Sequence, residues 1–385
     1  MPGLTQNMVA EAAALMPKLM WAGQVDDDGK KDPFFSKIPL GHSDAWVIRW
    51  DQMGAPYGLL PQSTLDSAPV LMEIPGVRVF ETEPGVYRGY TQIRESLLTK
   101  GREYGTLADP LIAGTELTRV MLYFKDFLLN RFRKAYADLA INGQINNTNI
   151  EGVQHSYQIQ SFQKFNVSAW LSNPAGATPI DDLRAIQTTA NRGTSSRFGQ
   201  KSCIVMVDEG INALLATAQI RNSFRSEYGA SYMAPFDNNN LSGAQPPLNG
   251  DRSMNKLFFG MGLAEIVPWN HGYYANFNDA LNYNKANFVK FLPNTSAAWL
   301  GYRPDNQQIG ELTTARHAGL EAVGDKEDFD VVKVKDESAG AEWMDGVYIK
   351  VHYRNRQPTG YDFEIGVNFT PQIWYDDCML SVTWS

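Results

Sequence analysis

Apolar side chains between Asp109 and Gly143 recur at three- and four-residue steps, at Leu117, Val120, Met121, Phe124, Leu128, Phe132, Ala135 and Leu139, the period that gives a helix one apolar stripe. Asp109 can cap the free amides, Pro110 suits the first turn and Gly143 supplies a stop. The pattern predicts a helix over 109–142, about 50 Å long at roughly 1.5 Å per residue. That is more than the core of a compact domain requires.

Upstream the pattern is extended. Val77–Thr82 and Val86–Tyr90 alternate on either side of Glu83-Pro84-Gly85, which predicts a β-hairpin, marginal alone and in need of something to lie against. The first ~50 residues read as an arm, with a short Ala-rich helix over Val9–Leu19 disturbed by Pro17 and a polar turn at Asp26–Lys31, too little apolar surface to be buried by itself. Residues 144–178 are polar and β-like. Thr178-Pro179 opens a second helix with Leu183, Ile186 and Ala190 on one side, and Ser202–Val207 reads as a strand buried on both faces. Asp208 is then expected to cap a helix presenting Ile211, Leu214, Leu215 and Ile220, making a compact α/β unit.

Tyr228–Arg252, with Asp237-Asn238-Asn239-Asn240, is expected to be a long exposed loop. Strands are expected at Leu263–Pro268, Phe288–Leu292 and Ala297–Tyr302. The last 60 residues alternate over 331–335, 347–353, 363–367 and 379–384, which predicts an antiparallel sheet with one solvated face.

Composition narrows the class. With 43% hydrophobic and 20% charged residues over 385 positions, the chain is globular. A net charge of −8 excludes wrapping of nucleic acid by the whole surface, which needs a basic field. Cys203 and Cys378 stand too far apart in sequence for a disulfide framework or a paired metal motif and are read as reduced thiols. The N-terminus has no basic and apolar leader pattern, and no apolar run reaches the ~18 residues of a membrane span. A soluble protein made in a cytoplasm is expected, so Asn166-Val167-Ser168 and Asn368-Phe369-Thr370 are chance sequons.

Catalytic chemistry leaves no mark. Gly319–Gly324 has phosphate-loop spacing, but Asp325 precedes Lys326, and Gly199–Ser202 runs into a strand where helix amides are missing. Gly260-Met261-Gly262 lacks the third glycine of a dinucleotide fingerprint. The Asp26–Gly29 run would need carboxylates where Gln24 and Phe35 stand to hold calcium. His42, His155, His271, His317 and His352 are scattered, Ser195 lacks a nucleophile elbow, and Asp376-Asp377 reads as a turn. Catalytic, cofactor-binding and metal residues are accordingly expected to be none. The arm, the hairpin and the overlong helix remain as parts that need partners.

In that order the elements resemble the Hong Kong 97-like major capsid proteins of tailed bacteriophages, in the branch typified by the lambda major capsid protein. Leu107-Ala108-Asp109-Pro110 is similar to that family's spine-helix start, and Ile204–Asp208 with its helix to its axial strand and helix. Phe291–Thr295 with Trp299-Leu300-Gly301 resembles its late strand pair. Tyr353-Arg354-Asn355, Phe363-Glu364, Thr370–Ile373 and Ser381–Trp384 resemble its closing strands. The likeness spans about residue 50 to 385.

The resemblance implies an α+β fold with an N-terminal arm (1–49), an extended β-hairpin loop or E-loop (50–100), a peripheral domain (101–178) holding the spine helix (109–142), an axial domain (179–325), and C-terminal strands (326–385) returning to the peripheral and axial sheets. It implies a virion protein, assembled in the host cytoplasm, that forms hexamers and pentamers of an icosahedral shell around double-stranded DNA without sequence-specific binding. Its partners would be copies of itself, a scaffolding protein, a portal and optionally a decoration protein, with no membrane. No lysine lies between Lys37 and Lys100, so the lysine crosslink that some members form in the loop is not expected. Nor is their ~100-residue N-terminal scaffold seen, hence the separate scaffolding protein. Arg78, Glu81, Glu83, Arg88 and Arg94 are the candidates for charged contacts between subunits. An encapsulin-like compartment with protein cargo, or a soluble carbohydrate-active enzyme that would be monomeric and turn over a glycoside, are the alternatives.

Overall fold

A computed structural model describes residues 24, 31–43, 45–53, 77–94, 113–148, 154–160, 162–167, 170–192, 196–228, 250–276, 279–280, 282–303, 308–315, 330–333, 347–354 and 360–385. The chain begins with α1 (Pro33–Lys37), β1 (Leu40–Ser43), β2 (Ile48–Met53), β3 (Val77–Thr82) and β4 (Gly85–Arg94). The long helix α2 (Ala113–Asn142) follows, then β5 (Gln144–Thr148), β6 (Gln154–Gln158), β7 (Gln163–Asn166), α3 (Pro179–Ala190) and β8 (Cys203–Met206). Next come α4 (Asp208–Ala216), α5 (Ala218–Tyr228), α6 (Gly250–Gly260), β9 (Glu265–Pro268), β10 (Gly272–Tyr274), β11 (Phe288–Lys290) and β12 (Ser296–Leu300). The last strands are β13 (Gly310–Ala315), β14 (Asp330–Lys333), β15 (Val347–Arg354), β16 (Gly360–Ile373) and β17 (Met379–Thr383). The fold mixes helix and sheet.

One sheet has the order β1-β13-β16-β15-β14, with β4 paired to the other side of β16. The other has the order β7-β17-β12-β8-β9. Strand periodicity divides the second sheet's side chains between two cores. Val205, Ala298 and Leu300 join α2 and the first sheet in one cluster, whereas Ile204, Trp299 and Val382 pack with α3 and α6 in another. Helix α2 therefore lies between the sheets: Phe132 meets Phe369 of β16 edge-on at 5.1 Å, while β12 and β17 lie on α2 as well. From Leu128 to Ala140 no residue of α2 is exposed. The helix stops where expected. Gly143 has φ +71°, and a Cβ there would fall 2.4 Å from the Phe162 ring, so only glycine fits this left-handed position.

Strand β8 is buried at all four residues, as its apolar run predicts. Helix α3 also begins at Pro179 as expected. Five expectations need correction. Val77–Thr82 does not pair with the strand after Pro84-Gly85: β3 pairs antiparallel with β2, and β4 leaves to form a ten-residue ladder with β16. The stronger draw is the long β16 template, on whose Phe369 the Tyr87 ring stacks at 4.7 Å. Asp208 is the first residue of α4 rather than its cap; Val207 takes the cap position in an extended conformation, and the Asp208 amide donates to Asn270 Oδ1 at 3.0 Å.

The closing strands do not share one half-solvated sheet. β17 joins the second sheet, and β16 is buried on both faces from Val367 to Thr370, with Phe132 of α2 meeting Phe369 on one of them. β13 belongs to the first sheet and β7 to the second. A further correction concerns the arm. Residues 31–43 are docked on the body: Phe34, Phe35 and Ile38 are fully buried, and β1 runs parallel to β13. Gly250–Arg252 open helix α6 rather than extending a loop. Val9–Leu19, Asp26–Lys30, Leu107–Pro110, Asp237–Asn240, Ser195, His317 and Gly319–Lys326 lie outside the described residues.

Candidate assembly interface

The β2–β3 ribbon is rooted and then released. Register pairs Ile48 with Thr82 and Trp50 with Phe80 on one face, and Arg49 with Glu81 and Asp51 with Val79 on the other. The first face anchors it: Ile48 and Trp50 are buried, the Trp50 indole stacks on Phe80 at 5.6 Å, and its Nε1 donates to the Ile373 carbonyl at 3.1 Å. The second face looks outward, with Val79 69% exposed. Arg49 and Glu81 form an exposed ion pair at 2.8 Å, the kind worth about 0–1 kcal/mol. One register step beyond Trp50 and Phe80, Arg78 of the anchoring face is also exposed and donates to Gln160 Oε1 at 3.1 Å. At Arg78 and Val79 both faces of the ribbon are thus exposed.

Strand β4 follows with a sided pattern. Tyr87 and Ile93 turn inward, where the Arg131 guanidinium sits 4.0 Å above the Tyr87 ring. Val86, Arg88 and Tyr90 turn outward and are exposed, Tyr90 by 73%. Gly89 is exposed in the middle of the strand, and a Cβ added to it would meet nothing within 4 Å.

The first half of α2 carries a second unburied patch. Leu122, Tyr123 and Phe127 are exposed, Phe127 by 65%. The nearby charges are satisfied along the helix: Glu116 pairs with Arg119, whose guanidinium lies 5.6 Å from the Tyr123 ring, and Lys125 pairs with Asp126 at 3.0 Å. The patch is thus apolar and electrically balanced.

A buried polar clamp holds the docked N-terminal segment. Asp32 accepts from Trp269 Nε1 at 2.9 Å and from the Phe34 amide at 3.0 Å, with Arg133 Nε at 3.6 Å and His271 Nε2 at 3.7 Å. It joins α1, α2 and the segment between β9 and β10. Burial raises the Asp32 carboxyl above its ordinary range, its hydrogen bonds and Arg133 opposing. Burial, and the Arg133 charge after it, push His271 down to about 4. Burial also drives the two thiols up, Cys203 to about 12 and Cys378 well above its ordinary value, and both cysteines are free.

The five charged candidates do not form one cluster. Arg78 and Glu81 have partners within the chain on β3; Glu83 is exposed in the link to β4; Arg88 is exposed on β4; and Arg94 stands at its end opposite Gly360. Asp376 and Asp377 lie in a turn as expected, and Asp377 accepts from the buried Ser196 hydroxyl at 2.8 Å, tying that turn to the loop before β8. Among the described residues no group of three His, Cys, Asp or Glu is placed to hold a metal, and no helix is long and apolar enough to cross a membrane. Sequence reading missed Asp32, although Asp before Pro is a helix-start signal. It also missed Trp50, whose alternation with Ile48 was visible, and Tyr90, whose exposure had no signal.

No protein-family model and no curated protein matches the chain. Its similarities are to solved structures. A protein described as a prophage capsid protein of Escherichia coli CFT073 is 12% identical over 80% of each chain, with a TM-score of 0.48. A phage-related protein from Bordetella bronchiseptica is 8% identical, covering 95% of this chain and 96% of that one, with a TM-score of 0.48. The capsid of cyanophage A-1(L) is 11% identical, covering 91% of this chain and 92% of that one, with a TM-score of 0.47. Phage capsid proteins are thus among the structures to which this chain is similar over most of its length.

Proposed function

We propose that this chain is the major shell subunit of a tailed-phage head with the Hong Kong 97-like arrangement: the β2–β3 ribbon is its extended loop, α2 its spine helix, the first sheet its peripheral layer and the second sheet with α3 and α6 its axial domain. The observation that carries the reading is the ribbon, rooted on the body through Ile48, Trp50 and Phe80 and bare on both faces at Arg78 and Val79. A strand pair of that form is marginal alone and is completed by lying on another molecule. The exposed Leu122–Phe127 patch on α2 supports the same reading.

Copies close into hexamers and pentamers, and the acidic chain leaves packaged double-stranded DNA free to slide. The subunit works by assembly and not by catalysis. A scaffolding protein directs it, a portal interrupts the shell, and a decoration protein is an optional addition. Arg78, Glu81, Glu83, Arg88 and Arg94 supply charged contacts between subunits, exchanging own-chain partners such as those of Arg78 and Glu81. With no lysine between Lys37 and Lys100, the shell is held without covalent links. Negative-stain microscopy of the chain, co-expressed with and without scaffold, tests this reading. Closed particles with nucleic acid absorbance and a single denatured band support it. Covalent ladders refute the non-crosslinked shell, particles filled with protein cargo favour a compartment, and a stable monomer refutes assembly.

A further inference from the structure

Helix α2 carries an exposed pattern that reads the same from either end. Arg119, Leu122, Tyr123 and Asp126 stand symmetrically about the midpoint between Leu122 and Tyr123, so reversal puts Arg119 on Asp126 and Leu122 on Tyr123. At roughly 100° per residue, Arg119 and Asp126 lie within about 20° of one line along the helix, with Leu122 to one side of it and Tyr123 to the other. That line faces away from the body: Val120, Met121, Phe124 and Leu128 are buried, whereas Leu122, Tyr123 and Asp126 are exposed. The charges on it are opposite. Arg119 is held by Glu116 and lies by the Tyr123 ring, but Glu116 is turned inward, at 2% exposure against 40%, so the guanidinium is the member of the pair that the surface presents. In the Lys125–Asp126 pair the carboxylate is the outer member, at 58% exposure against 21%. The helix thus shows a cation and a carboxylate about two turns apart, with a leucine and a tyrosine between them.

We infer that this face of α2 packs antiparallel on the same face of a second copy, about a two-fold axis between Leu122 and Tyr123. A reversed copy supplies the complement of every group. Arg119 of each copy meets Asp126 of the other, and at the centre Leu122 meets Leu122 and Tyr123 meets Tyr123. A parallel copy would instead set Arg119 against Arg119 and Asp126 against Asp126, like charges in contact. A contact of about two helical turns is too small for a stable free dimer. The inference therefore rests on the assembly reading above: other contacts hold the copies side by side, and this one fixes how two neighbours meet across a two-fold axis.

The test uses the full chain under conditions in which the wild type forms particles. Leu122→Lys sets two ammonium groups at the axis. Because Leu122 is exposed, the unassembled variant should melt as wild type does, while its particle yield should fall by about tenfold or more. Leu122→Cys should link to itself as a disulfide dimer when particles are mildly oxidised, since Cys203 and Cys378 are buried and do not compete. Asp126→Cys should not, because the two 126 positions of an antiparallel pair stand seven residues apart along it, about 10 Å at ~1.5 Å per residue. Wild-type yield from L122K, or particles of L122C without the dimer, overturns the inference and leaves assembly intact. Should L122K melt lower than wild type, the cysteine variants decide. D126C linking to itself as readily as L122C rejects the antiparallel pairing, and L122C linking to a scaffolding chain instead of to itself rejects the second copy. Failure of the wild type to form particles overturns the assembly reading and this inference together.

Discussion

Trp50 is the point at which the ribbon is fastened, so Trp50→Ala should loosen the ribbon and leave the body folded. The side chain is 8% exposed, stacks on Phe80 at 5.6 Å, lies 5.9 Å from Tyr157, and donates to the Ile373 carbonyl. Truncating a buried tryptophan costs about 3–5 kcal/mol, and the lost hydrogen bond contributes about 1 kcal/mol of that. Apart from Ile48 and the half-buried Phe80 and Thr82, no described side chain of the ribbon is shielded. The loss therefore falls on local opening, which should speed exchange of the β2 and β3 amides by about a hundredfold or more. Amides of β8 and β12, buried at every residue, should exchange as in wild type. Trp50→Phe keeps the ring contact, loses the N–H donor, and should recover most of the protection. Hydrogen exchange with mass spectrometry on the unassembled protein reads all of this. Equal acceleration in the ribbon and in β8 and β12 would show that Trp50 belongs to the global core and would refute the reasoning.

His271 should titrate by NMR with a midpoint of about 4. A depressed histidine stabilises the fold fully above its ordinary pKa of ~6.5 and loses that contribution as pH falls through the folded value, so His271→Gln should flatten the decline in melting temperature between pH 7 and pH 4.5; a midpoint near 6.5 would refute the burial argument. The Asp32 carboxyl works in the opposite direction: its raised pKa gives stability that is present at low pH and lost as pH rises through the folded value, so Asp32→Asn should leave a residual acid sensitivity steeper than that of wild type. Cys203 and Cys378 should resist a thiol reagent at neutral pH until the protein is unfolded, and rapid native labelling of either would contradict their burial. Gly143→Ala should cost more than ~1 kcal/mol, since φ is +71° and Phe162 stands in the way; a melting temperature equal to wild type would refute that packing.

Elements governed by their own residues were legible in the sequence. The stripe from Leu117 to Leu139 gave the long helix, Gly143 its end, Pro179 the start of α3, and the apolar run at 203–206 a central strand. Pairing between distant strands was not legible. Glu83-Pro84-Gly85 has the composition of a hairpin turn, yet β4 belongs to β16, because ladder length and the Tyr87–Phe369 stack are long-range terms that no local turn signal carries. The docking of residues 31–43 was hidden for the same reason: Phe34 and Phe35 look like two apolar residues in a polar arm until Tyr136 and Trp269 are brought against them. Of the candidate interface, the extended segment was visible from alternation, but its root at Trp50 and the open space at Gly89 depend on which side chains lack neighbours.

The central claim is that copies of this chain complete one another's surfaces. Sedimentation velocity of the purified full-length chain, mixed with its scaffolding partner at rising concentration, tests it most directly. Small species should convert into uniform shell-sized particles with few intermediates. A single-chain species persisting at every concentration, with the ribbon amides as protected as those of β8, would contradict it.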